Sequence, residues 1–216
     1  MPAQGERVTM IERTMTQALG AGTASAATAP TVDDLLVMRA RRGDAAAFSE
    51  IFERYQHRII NYIYGLVHDR ELANDLAQES FLKAYKALPR MDDDLRLAPW
   101  LYRIAGNTAF SALRRRRLIR WLPLLNDGMV TSDMDGTIAE AEAVHRALAK
   151  LPTKYAAPLL LHSHEGLSCN EIAAILGISA GAVKTRLFRA REAFRVAYGQ
   201  DAAGQTLAVG IEQGVE

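Results

Sequence analysis

The sequence predicts an all-α protein: two small helical domains joined by a flexible acidic linker, the second containing a helix-turn-helix. Three observations lead there. Apolar residues recur at helical spacing on both sides of a charged divide, and the frequent Ala, Leu, Arg and Glu favour helix. Aromatic residues make up only 7% of the chain. At the divide itself, the charge changes sign abruptly within a few residues.

A chain of 216 residues with 49% hydrophobic content can fill one large core or two small ones. Its formal net charge of +1 argues against a uniformly basic nucleic-acid binder, so any such role must rest on local charge. The single cysteine, Cys169, excludes an internal disulfide framework and fits a reducing compartment. No apolar run approaches the roughly 20 residues needed to cross a bilayer, and no basic stretch followed by an apolar core opens the chain. The expectation is a cytoplasmic protein without membrane insertion.

Residues 1–30 end in an Ala/Thr-rich stretch without apolar period and are expected to form a disordered tail. From Asp33, Leu35, Leu36 and Ala40 mark a first helix, Gly43-Asp44 a break, and Phe48, Ile51, Phe52 and Tyr55 a second helix. A third is expected through Ile59, Ile60, Ile63 and Leu66. Asp69 can cap the next, whose buried stripe is Ala73, Ala77, Phe81, Ala84 and Leu88 and which Pro89 ends. Another begins near Pro99 and carries Trp100, Leu101, Ile104, Ala105, Thr108 and Leu113. It finishes in Arg114, Arg115, Arg116, Arg117 and Arg120. From Trp121 to Ala141 there is no Lys or Arg, while Asp127, Asp133, Asp135 and Glu140 lie among small polar residues. This gives a first domain at 31–120, an acidic linker at 121–138, a second domain at 139–198 and a tail at 199–216. The second domain opens with helices through Val144, Leu148 and Leu151 and from Thr153 to His164, the latter interrupted by Pro158.

Ser168-Cys169-Asn170-Glu171 then has the form of a capping box. The helix it starts holds Ile172, Ala173, Ile175 and Leu176 and stops at Gly177, a residue suited to a left-handed helix end. After a turn of a few residues, Ser179 can cap a second helix with Val183, Leu187, Ala190 and Phe194 toward the core. Lys184, Thr185, Arg186, Phe188, Arg189, Arg191 and Arg195 are left on flanking and outer surfaces. Long cations at the start of such a helix can reach base edges and phosphates in a major groove, and Phe188 can pack on a thymine methyl. A merely solvated Arg-rich face has the same composition; the capped helix and glycine turn in front of it favour DNA binding.

Two blocks then resemble the sigma-70 superfamily of RNA polymerase sigma factors, in the small extracytoplasmic-function form. Asp75-Leu76-Ala77-Gln78-Glu79-Ser80-Phe81-Leu82-Lys83-Ala84-Tyr85 looks like the family's polymerase-binding helix. Trp100-Leu101-Tyr102-Arg103-Ile104-Ala105-Gly106-Asn107-Thr108-Ala109 looks like its promoter-melting helix. Glu165-Gly166-Leu167-Ser168 and the run from Val183 to Arg191 resemble its second DNA-reading domain, and the absence of a recognisable third domain points to the small form. The resemblance implies that Asp75, Gln78, Glu79 and Leu82 bind core RNA polymerase. It assigns minus-ten recognition and melting to Trp100, Tyr102, Arg103, Asn107 and Arg114 to Arg117, and minus-thirty-five recognition to Ser179, Lys184, Thr185, Arg186, Phe188, Arg189 and Arg191. It further implies promoter DNA, double-stranded and melted, and an anti-sigma factor as partners, and a stress response as setting.

Each role has a plainer alternative. The Asp75 face fits an ordinary solvated helix, Trp100, Leu101 and Ile104 fit core packing, and the arginine cluster fits a helix end favoured by its dipole. The linker fits either a polymerase channel or a plain spacer, and Asp92-Asp93-Asp94 is unusually acidic for a loop meeting DNA. His162, His164 and Cys169 are zinc-ligand types without a fourth partner. No metal, cofactor or catalytic set is expected. A repressor or activator binding DNA alone, and a helical adaptor, are the rival functions.

Overall fold

In the computed structural model, the structure describes the backbone of residues 31–92, 95–119 and 136–212, and side chains over 31–92, 95–117 and 142–200. Among the described residues the secondary structure is helical, without strands. The expected N-terminal tail, Asp93-Asp94, Arg120 and the linker up to residue 135 lie outside them.

Helix α1 (Val32–Arg41) starts from a capping box: Asp34 N–H donates to Thr31 Oγ1 at 3.2 Å, and Thr31 N–H to Asp34 Oδ2 at 2.8 Å. Gly43, at φ +91°, supplies the turn. Asp44 then caps α2 (Ala45–Val67), accepting from Ala47 N–H at 3.1 Å. This 23-residue helix unites the two expected on either side of Tyr55. Gln56, His57 and Arg58 between them include neither Gly nor Pro, so nothing there breaks the backbone ladder. The helix closes on His68, a non-glycine residue in the left-handed region at φ 55°.

Asp69 caps α3 (Arg70–Ala87), which passes into a single 3₁₀ turn at Leu88–Arg90. There Pro89 removes the next donor. The long helix α4 (Leu97–Ile119) completes the first bundle. In the second half come α5 (Gly136–Ala149), α6 (Thr153–Ser163, continuous through Pro158), α7 (Cys169–Leu176) and α8 (Ala180–Glu212). The last three residues of the expected linker therefore lie in α5. Helix α8 also runs on past Tyr198, where no proline stands to stop it.

Ile51, Ile59, Ile63, Leu88 and Tyr102 fill the core of the first half, and Leu161, Ile172, Val183, Leu187 and Ala190 that of the second. Burying each large apolar side chain contributes about 1.5–3 kcal/mol. The two cores are continuous: α2 packs on α5 and α6, and α4 packs on α7. One close approach of the halves is at Gly65, where an added Cβ would stand 2.8 Å from Leu160 Cδ1.

Two ion pairs brace this seam. Arg58 donates from Nε to Glu165 Oε2 at 2.8 Å, onto a carboxylate side chain only 5% exposed, and Arg96 Nη1 lies 2.9 Å from Glu171 Oε1. Among the described residues no helix is long and apolar enough to cross a membrane.

Gly65→Val is expected to lower stability by about 1–3 kcal/mol, because the new side chain must displace Leu160. Gly199→Ala in the open stretch of α8, where an added Cβ meets nothing within 4 Å, should be neutral or stabilising by up to about 1 kcal/mol; urea midpoints compare them. Ser168→Ala should cost about 1 kcal/mol by opening the α7 capping box, read in the same titration.

Candidate nucleic-acid interface

The DNA-reading unit is built as its sequence predicts. Glu171 N–H donates to Ser168 Oγ at 3.3 Å, and Ser168 N–H donates back to Glu171 Oε2 at 2.9 Å. Burial by itself would push the Glu171 carboxyl up, but Ser168 and Arg96 hold it below its ordinary value. Gly177 ends α7 at φ 65°. Ser179 Oγ, one residue before α8, accepts from Ala182 N–H at 3.2 Å. Val183, Leu187 and Ala190 point inward, which fixes the rotation of α8 and leaves Lys184, Thr185, Phe188 and Arg189 exposed. Phe188 is 69% exposed, a high value for a phenylalanine. Thr185 Oγ1 donates to Gly181 O at 3.1 Å, and Arg189 lies against Tyr155, drawing that phenol below its ordinary value.

Arg186 is half-buried at the flank of this face. Arg191 departs from the sequence expectation. Its Nε and Nη2 are buried without a hydrogen-bond partner among the described residues, so it belongs to the packed side of α8 and not to the outer one. Three residues separate it from Phe188, nearly a full helical turn, but its side chain leans toward the core flank.

On α4 the structure divides the expected melting residues. Arg103 and Asn107 are exposed one turn apart, and Arg114, Arg115 and Arg117 continue outward toward the end of the described side chains. Trp100 (5% exposed) and Tyr102 (0%) are core residues, which corrects their placement on a base-stacking surface. The reason is crowding: α4 is covered by α2 and α3 on one side and by α7 on the other. Tyr102 meets Tyr62 edge to face at 5.3 Å. Burial, with the Glu165 carboxylate nearby, pushes its phenol well up, so it stays protonated.

Arg116 is committed as well. Its Nη2 binds Asp69 Oδ2 at 2.7 Å, locking the α4 end to the α3 cap. Asp69 is held below its ordinary value by the Leu72 N–H first and by Arg116 second.

On α3, Asp75, Gln78 and Leu82 are exposed, Leu82 by 61%, and Glu79 is paired with Lys83 at 2.7 Å. The structure adds an apolar patch that the sequence reading did not assign. Tyr85 (52% exposed) meets Phe48 edge to face at 5.0 Å, and Phe52 meets Phe81 at 4.9 Å. Tyr85 stands three residues after Leu82 on the same helix, a spacing that places them together. Phe48 and Phe52 come from α2 and carried no local signal.

His162 turns inward, with Nδ1 3.0 Å from Leu167 O, and among the described residues no group of three or more His, Cys, Asp or Glu is placed to hold a metal ion.

These surfaces coincide with known families. Residues 51–119 match the family described as Sigma-70 region 2, and residues 141–194 that described as Sigma-70, region 4. The RNA polymerase sigma-H factor of Pseudomonas aeruginosa is 36% identical over 186 residues, 74% of this chain and 91% of that one. The ECF RNA polymerase sigma factor SigW of Bacillus subtilis is 30% identical over 173 residues, 74% and 92%. The ECF RNA polymerase sigma-E factor of Escherichia coli K12 is 33% identical over 184 residues, 74% and 91%. Among solved structures, CnrH in complex with the cytosolic domain of CnrY superposes with a TM-score of 0.61 at 26% identity, over 79% of this chain and 99% of that one. Relatives matched over nine-tenths of their length, together with both family models in one chain, leave one assignment: the chain belongs to the extracytoplasmic-function sigma factors of the sigma-70 superfamily.

Proposed function

We propose that this chain is a non-enzymatic subunit of RNA polymerase that binds the core enzyme through α3 and directs it to a class of promoters. The observation that carries this reading is the pairing of an exposed, capped helix-turn-helix with a separate exposed strip on α3, in one chain. A repressor or activator needs the first and has no use for the second.

Asp75, Gln78, Glu79 and Leu82 meet the polymerase, and the neighbouring Phe48, Phe52 and Tyr85 supply the apolar area that an ordered protein interface requires. Lys184, Thr185, Phe188 and Arg189 read the upstream duplex, with Ser179 at the entry of the helix and Arg186 at its flank. Arg103 and Asn107 face the melted element, while Arg114, Arg115 and Arg117 neutralise phosphates. Trp100 and Tyr102 act by positioning α4, not by stacking on bases. Arg116 acts by tying α4 to α3, and Arg191 from within the domain. A protein partner of the anti-sigma kind covers these surfaces until the chain is needed; CnrH, of the same fold, was solved bound to part of another protein.

Run-off transcription with purified core polymerase on a promoter library is the decisive test. New start sites sharing two spaced elements establish the reading; no initiation, with tight binding of the chain alone to duplex DNA, replaces it by the repressor or activator. Arg189→Ala is expected to weaken use of the upstream element by about 1–3 kcal/mol, seen as loss of footprint there and not at the start site. Asp75→Ala with Glu79→Ala should weaken polymerase binding severalfold in a pull-down or titration while the circular dichroism spectrum is unchanged.

A further inference from the structure

The seam between the halves carries a cluster of histidines that the promoter-reading role does not use. His145 of α5 packs on Tyr64 of α2, ring centroids 4.5 Å apart, and its Nδ1 is buried without a hydrogen-bond partner among the described residues. The groups acting on it from the elements around it are His164, just after α6, and the cationic Arg70 at the start of α3. His68, at the left-handed end of α2, keeps part of its surface in solvent and interacts with His145 across the seam. On α5 itself Glu142 faces Arg146 at 3.7 Å. Glu165, the carboxylate following His164, is held by Arg58.

We propose that this cluster is a proton-operated latch: His145 joins the two halves while neutral and drives them apart when protonated, with His68 adding to the repulsion. A neutral imidazole packs against the Tyr64 ring, tilted by 57°, at no electrostatic cost. A proton on it must be placed at a half-buried ring whose Nδ1 is covered and unpaired, beside the cationic Arg70. Separation of the halves lets water solvate it.

The direction in pH follows. Burial first, then His164 and Arg70, hold His145 below its ordinary value, and burial and His145 do the same to His68. The closed form is therefore at full strength above about pH 6.5 and loses stability as the pH falls from there toward the lowered values. On the function proposed above, opening uncovers the face of α4 that α7 covers; the latch itself is read without reference to that function.

Small-angle X-ray scattering of the full chain between about pH 8 and pH 5 tests it. The expected result is a rise in the radius of gyration on the acid side with helical circular dichroism unchanged. His145→Gln should keep its alkaline radius throughout, and His57→Gln, at an exposed position of α2, should behave as the parent. Where His145→Gln does not fold, Arg70→Gln carries the same test, since loss of this cation shrinks the rise. An absent rise in the parent, an equal rise in His145→Gln or in Arg70→Gln, or loss of helicity in step with expansion overturns the latch.

Discussion

Helix α4 has to serve two sides at once, and the arrangement of both halves follows from that. Ala105, Ala109 and Ala112 keep its surface flat, and buried Gly106 lets the Tyr62 hydroxyl pass where an added Cβ would lie 3.1 Å away. Neighbouring helices can thus approach along two faces, α2 and α3 on one and α7 on the other. The consequence for function is subtractive. With two faces occupied, only a stripe through Arg103, Asn107 and the terminal arginines stays in solvent, so α4 offers cations and an amide outward and keeps its aromatic rings inside. The price is a buried hydroxyl: that of Tyr62 has no hydrogen-bond partner among the described residues.

The cations of this chain fall into two groups by what surrounds them. Arg58, Arg96 and Arg116 each answer a carboxylate on another element, and all three of those carboxylates sit at or beside helix starts: Asp69, Glu171, and Glu165 just upstream of α7. A helix N-terminus already favours negative charge, so Asp69 at the start of α3 and Glu171 at the start of α7 hold Arg116 and Arg96 at modest cost. Exposed pairs of this kind are worth about 0–1 kcal/mol; the Arg58 pair matters more because Glu165 is almost wholly covered and would be left as a buried charge without it. Arg103, Arg114, Arg115, Arg117, Lys184 and Arg189 remain on outer faces, along the surfaces where a polyanion would lie. A net charge of +1 is compatible with nucleic-acid binding on this division.

What could be read from the sequence was local. The capping box at Ser168, the left-handed Gly177, the cap at Asp69 and the inward rotation set by Val183, Leu187 and Ala190 depend on residues within one or two turns, and each has its expected geometry. The departures are long-range. Tyr102 reads as a surface ring until α7 and Tyr62 are placed beside it, and Arg116 reads as one of four free arginines until Asp69, 47 residues away, takes it. Arg58 and Glu165 are 107 residues apart, with no pattern to link them. Phe48 and Phe52 follow the helical period by which Ile51 and Tyr55 enter the core. They lie at its margin because α3 covers only part of that face, leaving the aromatic patch beside Tyr85.

The character of the seam also bears on how the two halves act. The two halves share one continuous core, and the contact between them combines a close apolar approach, Gly65 against Leu160, with ion pairs and an imidazole packed on Tyr64. Separating aliphatic cores exposes area that water cannot satisfy. Separating Arg58 from Glu165, or Arg96 from Glu171, exchanges protein partners for water at much smaller net cost. These polar contacts help to define one arrangement of the halves, and they are the part of the interface for which water can substitute. The small contact of Gly65 fixes the register of the halves, and the charges around it set how tightly they are held.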